Sequence, residues 1–208
     1  AHGPTMSGFS MGVTPKRRAR HAPFRPLRLF GQAADPATRW VRIVLAEKLQ
    51  HDAHFEPVDP RSPPDDLMAL NPGLRLPMLL DREVAVVEAG IIVEYLNERF
   101  PPPPLMPSDP AGRARIRLLL SQLWQAQAQK AATGKMDACR DMLLTLAPLM
   151  SAKGLAIAPG LHLGDTALAA LLPGWLKTDL TLPPSLAERV EACYSALMRR
   201  AAVHSVPS

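Results

Sequence analysis

An α/β unit with a mixed sheet, followed by an all-helical domain, is the fold class this sequence predicts, and three observations carry it. Between Leu27 and Phe100, short apolar runs of strand character alternate with segments of helical periodicity. From Asp109 to Ser208 only helical periodicity recurs, with no convincing strand. Between the two lies "RFPPPPLMP", Arg99 to Pro107, where consecutive prolines break both patterns. Proline has no N–H to donate and keeps the preceding residue out of the helical region, so this run ends one helix and forms a stiff, extended connector. The predicted divisions are a tail over 1–26, an α/β domain over 27–100, a proline-rich linker over 101–108 and a helical domain over 109–208.

The elements follow in order. Leu27-Arg28-Leu29-Phe30 is a short alternating strand. Asp35-Pro36 is a helix opening, with Asp as N-cap and Pro at the first helical position. The helix places Val41, Val44, Leu45 and Leu49 on one face, with Arg39, Arg42 and Glu47 elsewhere. A second strand fits His54 to Val58, and Pro64 to Leu70 is a short helix stopped by Asn71-Pro72-Gly73. Pro77 to Leu80 and Val84 to Val87, three residues apart, read as an antiparallel hairpin. A third helix buries Ile91, Ile92, Tyr95, Leu96 and Phe100. Past the prolines, Ile116, Leu119, Leu120, Leu123 and Trp124 mark a long helix and Met142 to Met150 another. Asp165 to Leu172 makes a short apolar helix, and Leu186, Val190, Cys193 and Leu197 a last one.

Composition narrows the function classes. The formal charge is +5, yet six of the 24 basic residues lie within 1–28, which hold no acidic residue. The remaining 18 face 19 acidic residues, a net of −1, so the basic character belongs to the tail. That tail reads as a solvated extension whose electrostatics could reach nucleic acid; the rest of the chain offers no such patch. Ala1 to Thr5, ahead of Met6, read as a cloning remnant. No apolar run is long enough to span a bilayer and no secretory signal is present, so a cytoplasmic location is expected. Cys139 and Cys193 have neither metal nor redox spacing, and no ligand cluster implies a metal. His51 and His54 bracket Asp52 and read as scattered surface residues.

The segments "VRIVLAEK", "DLMALNPG", "PMLLDREVAVVEAGIIVEYLNERF" and "PPLMPSDPAGRARIRL" strongly resemble the stringent starvation protein A family, within the glutathione transferase superfamily. The resemblance implies a thioredoxin-like βαβαββα domain before the helical one, a homodimer, and a partner in RNA polymerase holoenzyme. It implies a cis-proline at Leu76-Pro77, and Glu88 where an acidic residue meets the glutathione amino group. Gly164-Asp165 opens a helix that usually carries a capping motif, with His162 where Ser or Thr often caps. In that family the joint reads Pro-His-Pro-Pro-Leu-Met-Pro, and its Pro-His-Pro pocket is implicated in activity. Pro101, Pro102 and Pro103 stand there in this chain, so the imidazole donor is replaced by Pro102. The run reads equally as a rigid hinge and as a docking surface.

Conjugating chemistry needs a hydroxyl or thiol donor beside the first helix to stabilise the glutathione thiolate. Asp35 occupies that position by alignment on "VRIVLAEK", and a carboxylate there repels a thiolate. Thr38 is the one nearby hydroxyl; it reads as a surface residue or local backbone partner, and as the activator only if the chain is an atypical transferase. Ser7 and Ser10 lie in the tail. Ala89 follows Glu88 where a Ser usually holds the γ-glutamyl carboxylate, and one lost charge-assisted bond costs ~1.5–3 kcal/mol. No catalytic residue and no required cofactor are therefore expected. Glutathione would be a weak ligand of Leu76, Pro77, Glu88 and Ala89.

Overall fold

The computed structural model describes residues 26–208; the expectations placed on the basic tail, Ser7 and Ser10 lie outside the described residues. The first half runs β1 (Arg28–Gly31), α1 (Pro36–Glu47), β2 (His54–Pro57), α2 (Asp65–Leu70), β3 (Met78–Asp81), β4 (Val84–Val87) and α3 (Ala89–Arg99). Its strands form one sheet in the order β2-β1-β3-β4, with β2 parallel to β1 and the other pairs antiparallel. The second half holds α4 (Pro110–Thr133), α5 (Asp137–Leu146), β5 (Met150–Ser151), β6 (Gly154–Leu155), α6 (Leu163–Leu176), α7 (Pro184–Met198) and α8 (Ala201–His204). This is the expected thioredoxin-like mixed sheet followed by a helical domain.

Helix α1 begins where the sequence says it should. The Asp35 carboxylate accepts from the N–H groups of Ala37 and Thr38 at 3.3 and 3.2 Å, and Pro36 supplies the first turn. A Cβ at Gly31 would lie 2.5 Å from Thr38 Oγ1, so the close approach of β1 to α1 requires glycine there. On the inner face, residues from Leu29 in β1 to Val206 at the C-terminus form one continuous core. The opposite sheet face packs Phe30, Val58, Leu67 and Met78 under α2.

The helix faces differ from expectation in instructive ways. Leu49 is 68% exposed because α1 has ended and the chain turns at φ 58°. Lys48 takes its place in the interior, and Arg39 and Glu47 are buried rather than turned to solvent. The second half explains this, since α6 and α8 cover the outer side of α1. Arg39 bonds the carbonyls of Ala169, Val206 and Pro207, Trp40 Nε1 donates to Thr166 Oγ1 at 2.8 Å, and Arg200 Nε meets Glu47 Oε1 at 2.8 Å. In α3, Ile91 is 54% exposed and Val93 enters the core instead.

Beyond the prolines, β5 and β6 form a hairpin of two-residue strands, too short for alternation to show, which corrects the strand-free reading. The helix expected over Met142 to Met150 begins earlier and ends at Leu146, before a 3₁₀ turn over Ala147–Leu149. His162 caps α6 itself: Nδ1 accepts from Asp165 N at 3.4 Å and Nε2 lies 2.9 Å from Leu155 O. The Asp165 carboxylate in turn accepts from the N–H groups of His162 and Leu155 at 3.2 and 2.8 Å. His162 thus makes both bonds of a capping box at the position where Ser or Thr often caps.

Candidate functional site

Three features of the described residues could carry function: the corner where α1, α3 and the loop before β3 meet, the cavity beside it, and the proline joint. At the corner, Thr38 is fully buried, not a surface residue. Its hydroxyl donates to Asp35 Oδ2 at 2.9 Å. The proton a thiolate would need is already given to the carboxylate that repels it.

The Leu76–Pro77 peptide is cis, with Pro77 buried ahead of β3. Glu88 precedes α3 at φ 70°, a backbone region that side-chain-bearing residues rarely adopt, and its carboxylate pairs with Arg75. Any ligand amine recognised by Glu88 must compete with that guanidinium. Ala89 and Gly90 then start α3, where the helix leaves its first amides unmatched and offers backbone donors to an anion.

A cavity of about 430 Å³ adjoins the corner, between Ala37 and Trp40 of α1, Ala89 and Gly90 of α3, and Leu120 and Trp124 of α4. Trp40 and Trp124 stack with ring centroids 5.0 Å apart. The Trp124 indole N–H is buried without a partner. Glu94 and Arg117, paired at 2.7 Å, form a polar edge. Ala37 and Ala89, which sequence reasoning left apart or treated only as a deficit, are thus brought onto one wall. The tryptophans gave no signal beyond their helical positions.

At the joint, Pro101 to Pro104 are exposed while Leu105 and Met106 are buried and anchor the chain's return. The Pro102–Pro103 peptide is cis. Beneath the ridge, Lys48 is only 2% exposed. Its Nζ donates to Pro101 O at 3.2 Å, Pro103 O at 2.6 Å and Asn97 Oδ1 at 2.9 Å. Asn97 Oδ1 also accepts from Leu105 N at 3.0 Å, so the same amide ties both ends of the turn. Burial lowers the pKa of the Lys48 ammonium, which its three acceptors nevertheless solvate. Sequence reasoning missed Lys48, although its spacing of seven from Val41 places it on the apolar stripe of α1.

Among the described residues no group of three His, Cys, Asp or Glu could hold a metal, and no helix is long and apolar enough to cross a membrane. Comparison with known proteins adds the lineage. Residues 29–104 match the model of the glutathione S-transferase N-terminal domain. A stringent starvation protein A homolog of Pasteurella multocida is 37% identical over 163 residues, covering 73% of this chain and 75% of that one. A homolog of the same name from Histophilus somni is 38% identical, over 69% and 72% of the two chains. In fold, the chain is similar to glutathione transferase Omega 3C of Trametes versicolor, with a TM-score of 0.75, 21% identity and 90% of each chain covered. The sequence words, the mixed sheet with its cis-proline and the helical second half agree with these matches, and the chain belongs to the stringent starvation protein A family of the glutathione transferase superfamily.

Proposed function

We propose that the chain is a transcription-associated interaction protein that binds RNA polymerase holoenzyme as a homodimer in the cytoplasm, through the proline joint, and does not conjugate glutathione. The observation that carries this reading is the Asp35–Thr38 bond, which leaves the thiol-activating corner without a free donor. The family resemblance supplies the partner, and the Lys48-held ridge supplies a rigid surface that a partner groove can read without ordering cost. Direct contact with nucleic acid is left to the basic tail, and no cofactor is needed.

A second reading is favoured by one feature. The cavity beside Ala89, with its unpartnered Trp124 N–H, suits a small ligand, so weak glutathione binding or atypical transferase activity with Thr38 as the activating hydroxyl is the alternative. A pull-down of RNA polymerase holoenzyme, run beside a conjugation assay with an electrophilic aromatic substrate, separates the two. Holoenzyme capture without turnover is expected. Turnover without capture would overturn the proposal.

A further inference from the structure

A smaller cavity of about 200 Å³ opens between α1, the α1–β2 loop, β2 and the end of α8. Its polar wall is made by Arg42, Gln50, His51, His54 and Ser205. Its floor is apolar, with Leu29, Leu45, Phe55 and Val206. Read along the sequence, the two histidines are scattered surface residues; in the fold they face the same space as Arg42. Asp52, between them, is exposed and takes no part in the wall.

The electrostatics of this wall are one-sided. Arg42 is half-buried, and its guanidinium lies over the Phe55 ring at 4.2 Å. It forms no ion pair with a carboxylate among the described residues, and residues 1–25 contain no acidic side chain that could supply one. Burial lowers its pKa with nothing to offset it. Arg39, three residues earlier, satisfies itself with backbone carbonyls; burial lowers its pKa, Tyr194 raises it, and Arg42 adds a smaller lowering as a like charge. A cation held against a ring, near a second cation and without a counter-ion, is a site for an anion.

We propose that this cavity binds the phosphoryl group of a small molecule with an apolar body, with Arg42 as its principal cation. The Ser205 hydroxyl is already given to Ala202 O at 2.7 Å, so the donors come from three elements, α1, the α1–β2 loop and β2. Donors converging from separate directions suit the three terminal oxygens of a tetrahedral group better than the planar pair of a carboxylate. Phe55 and Leu29 offer the apolar body a surface continuous with the anion position. This site shares no residue with the proline joint or the α3 corner, so it stands whether or not the polymerase reading does.

The test is an amide-resolved NMR titration of the full chain with inorganic phosphate, phenyl phosphate and benzoate. Saturable shifts are expected at Ala46, Ala53, Phe55 and Val206, with phenyl phosphate binding tightest. Arg42→Gln should weaken phenyl phosphate about ten- to a hundred-fold, the loss expected for one charge-assisted interaction. Should that variant lose native amide dispersion, the double change His51→Gln, His54→Gln, at two exposed positions, carries the test and should weaken binding several-fold. The proposal is overturned if wild-type shifts are absent or lie elsewhere. It is equally overturned if the folded variants bind like wild type, or if benzoate binds as tightly as phenyl phosphate.

Discussion

Asp35 does two jobs with one carboxylate, and the second sets the chemistry of the corner. As N-cap it accepts two backbone N–H groups, and it also takes the Thr38 hydroxyl proton. Serine caps helices about as well, so Asp35→Ser should leave the thermal midpoint nearly unchanged while removing the repulsion of a thiolate. With Ala89→Ser restoring a hydroxyl at the start of α3, the double variant should gain glutathione-dependent turnover beyond either single change. Wild-type protein should stay at the uncatalysed rate; robust wild-type turnover abolished by Thr38→Ala would place the activating hydroxyl at Thr38 and end the non-enzymatic reading. Cys193 makes a separate prediction. Burial, and then the nearby Asp165 carboxylate, push its thiol from an ordinary 9.0 up to about 11. The folded state therefore holds this proton more tightly than the unfolded chain does, so its contribution is intact below pH 9 and is lost as pH rises toward 11. The loss amounts to about 2–3 kcal/mol. Denaturant melts across that interval should show a shallower alkaline decline for Cys193→Ala than for wild type, whatever the cavity costs at neutral pH. Parallel declines would show that the thiol does not titrate as its burial implies.

At the scale of elements, the joint is a ridge only because α1 reaches under it. Lys48 at the end of α1 and Asn97 in α3 hold the carbonyls and amide of the turn between α3 and α4. Replacing Pro101, Pro102 and Pro103 by Ala should weaken holoenzyme capture with little change in thermal midpoint, because these rings are exposed. Lys48→Met should also weaken capture, by a different route that leaves the prolines in place but releases their carbonyls, and unlike the proline change it should cost about 1–3 kcal/mol of stability. Capture that survives both changes would remove this surface from the mechanism, and Pro102→His should strengthen it only if a donor is read as well as a shape. The same elements show what sequence pattern can carry. Asp35-Pro36, the prolines and the alternating runs are local signals, and each element they mark is present within a residue or two. Arg39 and Glu47 were misplaced, and Lys48 was missed, because their roles depend on α6, α8 and the joint, partners that no window over α1 contains. The cavity wall was illegible for the same reason: Ala37, Ala89 and Trp124 are brought together by three helices distant in sequence.

For the whole molecule, α1 is shared property. One side packs on the sheet and α3, the other on α6 and α8, and the core runs unbroken from Leu29 to Val206. The sequence divides at the prolines because periodicity is local, whereas the energetics do not divide there because burial is not. Trp40 donates across this boundary to Thr166 Oγ1 at 2.8 Å, and Thr166 in turn donates to Leu163 O at the start of α6. Both halves should therefore unfold in one transition, with far-UV circular dichroism and tryptophan fluorescence giving the same midpoint. Thr166→Val keeps the volume and all three tryptophans, but leaves the buried Trp40 N–H without an acceptor, which costs about 1–3 kcal/mol. For a chain of this size that lowers the midpoint by roughly 3–10 °C. Because α1 belongs to both halves, the two probes should move together in the variant as they do in wild type. If the circular dichroism and fluorescence midpoints separate in either protein, the α/β unit and the helical domain are independent folding units, and the contacts of α1 with α6 and α8 do not couple them.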